Sequence, residues 1–314
     1  MSAVLALFAE FGVTRVGVST GTREAHRTVA QGEDPFVQGE ALAGEPVSVV
    51  VVAGGDASYP WHPCTRLEAE ARRYAEDKRV PLVIVRPMDS GDLVAEARLS
   101  GHKHIERRGV FYAVPQTAAF ERCADALSIP REAARIVAVY LGDEVAVSAY
   151  RGGRVIDTSD PVACEGPFGL RSVGTLPAVS FLAYVSRRGA DRDSDEAERL
   201  RQSLKEESGT YAIAGVGSQD ELVEALDDRR PDALLAVSAM AYQVAKEVGR
   251  QLAALGGKAD AIALCGPGTS IEPLASGIRE RVSKWAQVIV FHGDLAVPYL
   301  LREGIEYLSS KQKM

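Results

Sequence analysis

Residues 136–157, IVAVYLGDEVAVSAYRGGRVID, decide the fold class. The stretch holds three runs of mostly β-branched and apolar residues with turn residues between them: Ile136–Leu141, Gly142-Asp143-Glu144, Val145–Tyr150, Gly152-Gly153 and Arg154–Asp157. Short strands joined by tight turns pair antiparallel with their neighbours in the chain. The stretch therefore predicts an antiparallel meander in the second half of the protein.

Strands and helices alternate in the rest of the chain. Val47–Ala53 is a continuous apolar run, typical of a strand covered on both faces, whereas residues 2–11 are apolar at helical spacing and predict a helix. Residues 23–45 are polar and irregular, and Arg187–Asp195 has the composition of a linker. Strands are also predicted at Val13–Val18, Val80–Val85, Ala261–Cys265 and Val288–Phe291, and helices at Arg66–Arg79, Thr117–Leu127, Glu196–Glu206, Gln219–Leu226, Asp232–Leu255 and Val297–Ser309. This order indicates an α/β protein with mixed sheets.

Composition excludes several classes of partner. The 314 residues include 36 Lys and Arg against 43 Asp and Glu, which gives a formal net charge of −7. An acidic balance without a basic stripe argues against nucleic acid and against a polybasic membrane contact. The run Val47–Ala53 is far shorter than the roughly 20 residues of a membrane span, and the first residues lack the basic region of a signal peptide. Four scattered cysteines predict reduced thiols and a cytoplasmic location.

Five motifs carry a resemblance to a known family. They occur in this order: Ile105-Glu106-Arg107-Arg108, Gly153-Arg154-Val155-Ile156-Asp157, Glu165-Gly166-Pro167-Phe168, Gly174-Thr175-Leu176-Pro177 and Met240–Glu247. Together they resemble butyrate kinase, a branch of the acetate kinase family, over residues 47–310. The resemblance implies two actin-like (ribonuclease-H-like) domains, each a mixed sheet flanked by helices, with a cleft between them. We expect an N-terminal domain of residues 1–137 with the closing helix 297–312, and a C-terminal domain of residues 138–296.

The resemblance also implies a reaction, the transfer of the γ-phosphoryl group of Mg·ATP to a short-chain carboxylate. Phosphoryl transfer depends mostly on positioning and on neutralising charge. Backbone N–H groups of glycine-rich turns hold phosphates, cations hold the transferring group, and an acidic group holds magnesium.

Several family positions for this chemistry carry other residues here. An arginine before a Gly-Gly pair is replaced by Ala53, an aspartate before a proline by Arg86, two histidines by Tyr112 and Tyr140, and a glycine-rich phosphate turn by Gly142-Asp143-Glu144. The two carboxylates of that turn are expected to face a polyphosphate and to disfavour its binding. For the first phosphate turn, the nearest candidate is Gly17–Thr22.

Candidate site residues fall into four groups. Arg171, which follows the Glu-Gly-Pro-Phe motif, is a catalytic candidate together with Arg86 and Asp157. The nucleotide-binding candidates are turn residues: Gly142, Gly266, Gly268 and Thr269. The candidates for a substrate or anion are Arg107, Arg108, Gly54 and Gly55, and the metal candidate is Asp294.

These substitutions predict a catalytically degenerate family member, to which no cofactor is assigned. We expect it to be a non-catalytic or regulatory subunit that forms a homodimer or a complex with another protein. The alternative is a divergent ATP-dependent kinase for butyrate-type carboxylates. Mg and ATP would then be its cofactors, its arginines would clamp the phosphoryl group, and Asp157 or Asp294 would hold magnesium. A third possibility is a different reaction, or a non-nucleotide ligand, in the inherited cleft.

Overall fold

The computed structural model describes residues 3–10, 13–20, 23–30, 32–55, 59, 62–85, 93–189 and 194–312. The chain forms two compact units. The first unit contains Met1–Met88, Tyr112–Ala118 and Asp294–Met314, and the second contains Asp89–Phe111 and Ala119–Gly293. The domain limits expected from the sequence, 1–137 with 297–312 and 138–296, stay a prediction.

The described elements alternate along the chain much as the sequence indicates. The strands are β1 (Ala3–Glu10), β2 (Val13–Ser19), β3 (Glu24–Val29), β4 (Val47–Ala53), β5 (Leu82–Val85), β6 (Leu99–His102), β7 (Ile105–Glu106), β8 (Arg135–Leu141), β9 (Val145–Arg151), β10 (Arg154–Thr158), β11 (Ala261–Cys265) and β12 (Gln287–Val290). The helices are α1 (Pro35–Ala43), α2 (Pro63–Lys78), α3 (Ala113–Ala126), α4 (Ala178–Arg188), α5 (Asp195–Glu206), α6 (Gly209–Ala214), α7 (Gln219–Asp227), α8 (Pro231–Ala254), α9 (Glu272–Val282) and α10 (Ala296–Gln312).

The first unit is built on a five-stranded sheet in the order β3-β2-β1-β4-β5. Strands β1, β2 and β3 form an antiparallel meander, and β4 and β5 add to β1 in parallel. Helices α1, α2 and α10 all contact β1. Strand β1 is therefore buried along its whole length, and Leu5 and Leu7 belong to the core of this unit.

The helix predicted for residues 2–11 is wrong, because residues 3–10 form the central strand β1. A strand that is covered on both faces needs apolar side chains at every position, so its sequence lacks the alternation of a half-buried strand. The interpretation of residues 23–45 as irregular is also wrong. The segment interpreted as irregular, 23–45, contains the edge strand β3 and the short helix α1, which begins at the N-cap residue Asp34.

The phosphate turn suggested for Gly17–Thr22 is also wrong for its described part. Gly17 and Ser19 lie inside β2 and pair with both β1 and β3. Gly21 and Thr22 lie outside the described residues. At Gly17 a glycine serves packing, because an added Cβ would lie 2.1 Å from Cγ1 of Val297 in α10.

The second unit repeats the same strand order, β10-β9-β8-β11-β12. The predicted meander is present: β8, β9 and β10 pair antiparallel, and β11 and β12 add in parallel to β8. Helix α8 contacts β8, β9 and β10 and places Met240 and Val244 in the core. Among the described helices of both units, none combines the length and the hydropathy that crossing a bilayer requires.

Packing of α10 on the first sheet depends on a glycine, which allows a matched test. In Gly304→Ala, the new Cβ would lie 2.4 Å from Cγ1 of Val4 and 2.7 Å from Cγ2 of Val51. Overpacking of this kind costs about 1–3 kcal/mol. The contacts involve two stiff β-branched side chains, so we expect the upper part of that range, above the gain of about 1 kcal/mol in helix propensity. Thermal unfolding should show a lower midpoint.

Gly249→Ala in α8 is the control for that variant. Its new Cβ would meet nothing closer than Cη2 of Trp285 at 3.4 Å. The gain in helix propensity should then raise the midpoint slightly. Equal shifts in the two variants would contradict the described packing of α10.

Candidate functional site

The turn that follows β8 is held by a loop from the Glu-Gly-Pro-Phe region. The carbonyl of Gly142 accepts a hydrogen bond from the N–H of Leu170 at 3.0 Å. The carbonyl of Asp143 accepts two more, from Arg171 at 3.2 Å and Ser172 at 3.0 Å. The approach is so close that a Cβ at position 169 would lie 2.1 Å from the Asp143 carbonyl oxygen, which only glycine avoids. Gly142 also directs its own N–H to the carbonyl of Glu144 at 3.1 Å.

The catalytic candidate Arg171 is engaged by three groups at this turn. Its Nε lies 3.5 Å from Oδ1 of Asp143, and Nη2 donates to the carbonyl of Gly217 at 2.8 Å. Its guanidinium carbon lies 5.1 Å from the centre of the Tyr211 ring, which is cation–π distance. The positive charge of Arg171 is thus already balanced within the chain, although about 36% of its side chain is exposed.

Glu144 does not face a ligand, so the expectation that both carboxylates of the turn would meet a polyphosphate is wrong for this residue. Its side chain is fully buried, and Oε1 lies 2.7 Å from Nζ of Lys205 in α5. The same Nζ donates to the carbonyl of Pro161. Burial alone would lower the pKa of Lys205, but attraction by Glu144 and Cys164 outweighs it, and the pKa is raised. The ammonium group therefore stays charged inside the protein.

Gly266, Gly268 and Thr269 lie at the same edge of the sheet as Gly142. They follow β11, which is the parallel neighbour of β8 and pairs Cys265 with Tyr140. Gly266 has a positive φ of 95°, and a Cβ on it would come 2.5 Å from the carbonyl oxygen of Leu141. Thr269 is buried and donates to the carbonyl of Gly266 at 2.8 Å. The four nucleotide-binding candidates thus lie together, and their role stays a prediction.

Arg107 and Asp157 are brought together in an ionic network of the second unit. Nη2 of Arg107 lies 3.4 Å from Oδ1 of Asp157 and 2.7 Å from Oε1 of Glu165. Its Nη1 donates to the carbonyl of Ala97 at 2.6 Å. Glu165 also accepts from Arg250 of α8 at 2.9 Å. Both Arg107 and Asp157 are at most one-sixth exposed, so in this arrangement they support the loop between residues 93 and 107.

Glu247 and Asp160 are two further buried carboxyl groups of the second unit, and neither is among the candidate site residues named above. Burial raises the pKa of Glu247 although Gln251 donates to it at 2.9 Å and Arg250 lies 3.5 Å away. Asp160 is 1% exposed, and burial raises its pKa to about 7. Its Oδ1 accepts the N–H of Ala163, while Oδ2 has no hydrogen-bond partner among the described residues.

The remaining candidates belong to the first unit, except Arg108, which lies exposed in the second. Gly55 donates its N–H to Oε2 of Glu68 at 2.8 Å. Oδ1 of Asp294 accepts from the N–H groups of Ala296 and Val297, at 2.8 and 3.4 Å, and so caps α10.

Arg86 lies outside the described residues. Tyr112 is buried, with its ring 6.5 Å from that of Phe8 and 6.2 Å from that of His62. Over the described part of the chain, no three His, Cys, Asp or Glu residues cluster as metal ligands would.

A meander followed by two parallel strands, repeated in two units with helices on the sheets, defines an actin-like fold. Comparison with solved structures confirms this class. A propionate kinase from Francisella tularensis subsp. tularensis SCHU S4 matches with a TM-score of 0.69 and 17% identity over 96% of this chain and 98% of that chain. An acetate kinase from Entamoeba histolytica matches with a TM-score of 0.77 and 12% identity over 98% and 100% of the two chains.

An acetate kinase from Porphyromonas gingivalis gives a TM-score of 0.68 at 15% identity, over 98% of this chain and 100% of that chain. At these identities the similarity establishes the fold alone. The family follows from the sequence: the model of the acetokinase family matches residues 99–313, more than half of the chain. The protein belongs to the acetokinase family, as its motifs indicate.

The buried pair Glu144–Lys205 predicts a large loss of stability when one partner is removed. Lys205→Met leaves Glu144 as an uncompensated buried charge, which costs about 3–5 kcal/mol. We expect chemical denaturation to show this loss, and the double variant Glu144→Gln/Lys205→Met to recover a large part of it. Lys258→Met, at an exposed position, should change little. A loss in Lys205→Met no larger than in Lys258→Met would contradict the buried pair.

Asp160 predicts a specific pH dependence of stability. Its pKa is raised from 3.8 to about 7 in the folded protein, so the folded state holds a proton that the unfolded state releases. The contribution of Asp160 to the free energy of unfolding is therefore largest below about pH 4, and it is lost as the pH rises to about 7. In Asp160→Asn, denaturation measured across this range should lose that component of the slope, because the amide is always neutral.

Asp227→Asn, at an exposed position of α7, is the matched control and should keep the wild-type slope. An unchanged slope in Asp160→Asn would show that Asp160 titrates as it does in the unfolded chain.

Proposed function

We propose that this acetokinase-family protein is of the butyrate kinase type and has lost efficient phosphotransfer, so that it acts as a non-catalytic or regulatory subunit of a complex. The main support for the proposal is the turn Gly142-Asp143-Glu144. Its two carboxylates form ion pairs within the chain, Asp143 with Arg171 and Glu144 with Lys205, so these cations are not left for a polyphosphate. The family places a phosphate-binding turn at this point of the chain.

Three properties of the turn support poor binding of a polyphosphate. The N–H of Gly142 is used within the turn, by the carbonyl of Glu144. The carboxylate of Asp143 adds negative charge, and like charges at close range cost a few kcal/mol at intermediate dielectric. Arg171 would have to leave Asp143 and Gly217 before it could contact a phosphoryl group. The residues of this turn therefore do not fit the triphosphate that the family uses.

Two aromatic residues support the same proposal. By the resemblance, Tyr112 and Tyr140 occupy positions where the family has histidines. Both are only 2% exposed, and each belongs to the core of its own unit. A buried phenol neither carries a positive charge nor exchanges protons near neutral pH, so it does not replace an imidazole at a reacting phosphoryl group. Losing one well-placed electrostatic donor typically costs about 10²–10³ in rate.

The alternative is a divergent kinase of butyrate-type carboxylates that forms an acyl phosphate with Mg·ATP. One observation favours it: about 36% of the Arg171 side chain is exposed, so a ligand could reach this guanidinium. In that case four arginines, Arg86, Arg107, Arg108 and Arg171, would hold the phosphoryl group and the carboxylate, and Asp157 or Asp294 would hold the magnesium. The ties of Arg107 to Asp157 and Glu165 count against this assignment.

A partner in the cytoplasm, either a second copy of the chain or another protein, completes the proposal. Helix α4 supports it, since none of its residues is buried in its own unit and Val179 and Leu182 are 84% and 67% exposed. The net charge of −7 supports a partner that is neither nucleic acid nor an anionic membrane surface.

Calorimetric titration with Mg·ATP to millimolar concentration, followed by a hydroxamate trap for acyl phosphate with butyrate, tests the proposal. We expect no saturable binding and no trapped product, because the turn offers a carboxylate where a phosphate would bind. Saturable binding together with acyl phosphate formation would contradict the proposal. If this activity were abolished in Arg171→Ala and retained in Arg279→Ala, an exposed position of α9, the alternative would be supported.

The variant Asp143→Gly tests directly whether the turn after β8 prevents nucleotide binding. This variant removes the carboxylate and releases Arg171 from its ion pair. If the pair is what blocks nucleotide, Asp143→Gly should bind Mg·ATP measurably better than the wild type in the same titration. Unchanged absence of binding would mean that the obstacle lies elsewhere.

A further inference from the structure

A cavity of about 490 Å³ lies wholly in the second unit and plays no part in the proposal above. Part of its wall is the segment from Val94 to Ala97, which is fixed to the sheet edge because the N–H of Val94 donates to the carbonyl of Ile156 at 3.0 Å. The rest comes from Arg107, from β9 and β10, and from the last turns of α8. Its volume is in the range of small-molecule sites.

Two of the charged residues in the wall already balance each other. Arg107 and Asp157 line the cavity, and their side chains lie 3.4 Å apart. Arg107 is further held by Glu165 and by the carbonyls of Ala97 and Thr158. This pair is therefore occupied by groups of its own chain and has little capacity left for a ligand.

Arg151 and Glu96 are different, because both line the cavity and neither is balanced. Among the residues that the structure describes, the side chain of Arg151 makes no hydrogen bond or ion pair, and the same holds for Glu96. Two opposite charges thus share one cavity without neutralising each other. Arg250 adds a second cation at the wall, which Glu165 and Glu247 hold at 2.9 and 3.5 Å. Both side chains are exposed to solvent, and a ligand that pairs with both of them must itself carry both signs of charge.

The rest of the wall is apolar and made of small side chains. Val94, Ala97, Ile156 and Ala254 contribute it. We propose that this cavity binds a small zwitterion of the amino-acid type with a short apolar side chain. The carboxylate of this ligand pairs with Arg151, because a guanidinium group can form two parallel hydrogen bonds with a carboxylate. The ammonium group of the ligand pairs with Glu96. The apolar side chain of the ligand packs against the apolar part of the cavity wall.

Titration calorimetry with L-leucine and L-valine tests this assignment, with two analogues that each lack one charge. The analogues are 4-methylpentanoate, which has only the carboxylate, and 3-methylbutylamine, which has only the ammonium group. We expect saturable binding of an amino acid at millimolar or lower concentration. Each analogue should bind at least about tenfold more weakly, because a charged hydrogen bond contributes about 1.5–3 kcal/mol and 1.4 kcal/mol is tenfold.

Charge-neutral variants locate the binding in the cavity. Arg151→Gln and Glu96→Gln should each weaken amino-acid binding at least about tenfold, whereas Arg279→Gln on α9 should leave it unchanged. Both substitutions are at exposed positions, and an unchanged unfolding midpoint would verify that the variants fold.

Absence of saturation with both amino acids would overturn the proposal. So would equal affinity for 4-methylpentanoate, or binding that survives in both variants. The assay contains no nucleotide, so its result is independent of whether the protein transfers phosphate.

Discussion

The ion pair between Glu144 and Lys205 fixes the part of the second unit on which the functional argument depends. It joins the turn between β8 and β9 to helix α5, and the same ammonium group donates to the carbonyl of Pro161. Two charges inside a protein are tolerated only when each is compensated, because desolvation costs several kcal/mol per ion. The pair therefore commits the turn after β8 to one conformation, whose carbonyls then accept the N–H groups of residues 170–172.

The same pattern recurs with other cations of this unit. Arg171 is balanced by Asp143, Arg107 by Asp157 and Glu165, and Arg250 by Glu165 and Glu247. An arginine that is paired with a carboxylate of its own chain attracts an external anion less strongly than its formal charge suggests. An arginine and a glutamate that remain unbalanced at one cavity, Arg151 and Glu96, stand out for this reason.

Much of this fold could be predicted from sequence, but only where the signal is local. The meander of β8, β9 and β10 follows from β-branched runs separated by glycine turns, and α8 from its helical periodicity. Strand β1 could not be recognised, because burial on both faces removes the alternation that marks a strand. The contacts of the candidate site are even harder to predict from the sequence. Glu144 and Lys205 lie 61 residues apart, and Arg107 and Glu165 lie 58 apart, so only the folded chain brings them together.

The first unit takes its closing helix from the far end of the chain. Strands β1 and β4 are made early, yet α10, which packs on both, begins at Ala296. At about 5–20 residues per second, a ribosome needs roughly 10 to 40 s to travel from β5 to that helix. During this interval the face of the sheet that α10 covers lacks its helix, because the second unit, with β12 ending at Val290, is synthesised first. Completion of the first unit thus has to wait for a helix that follows the whole second unit in the chain.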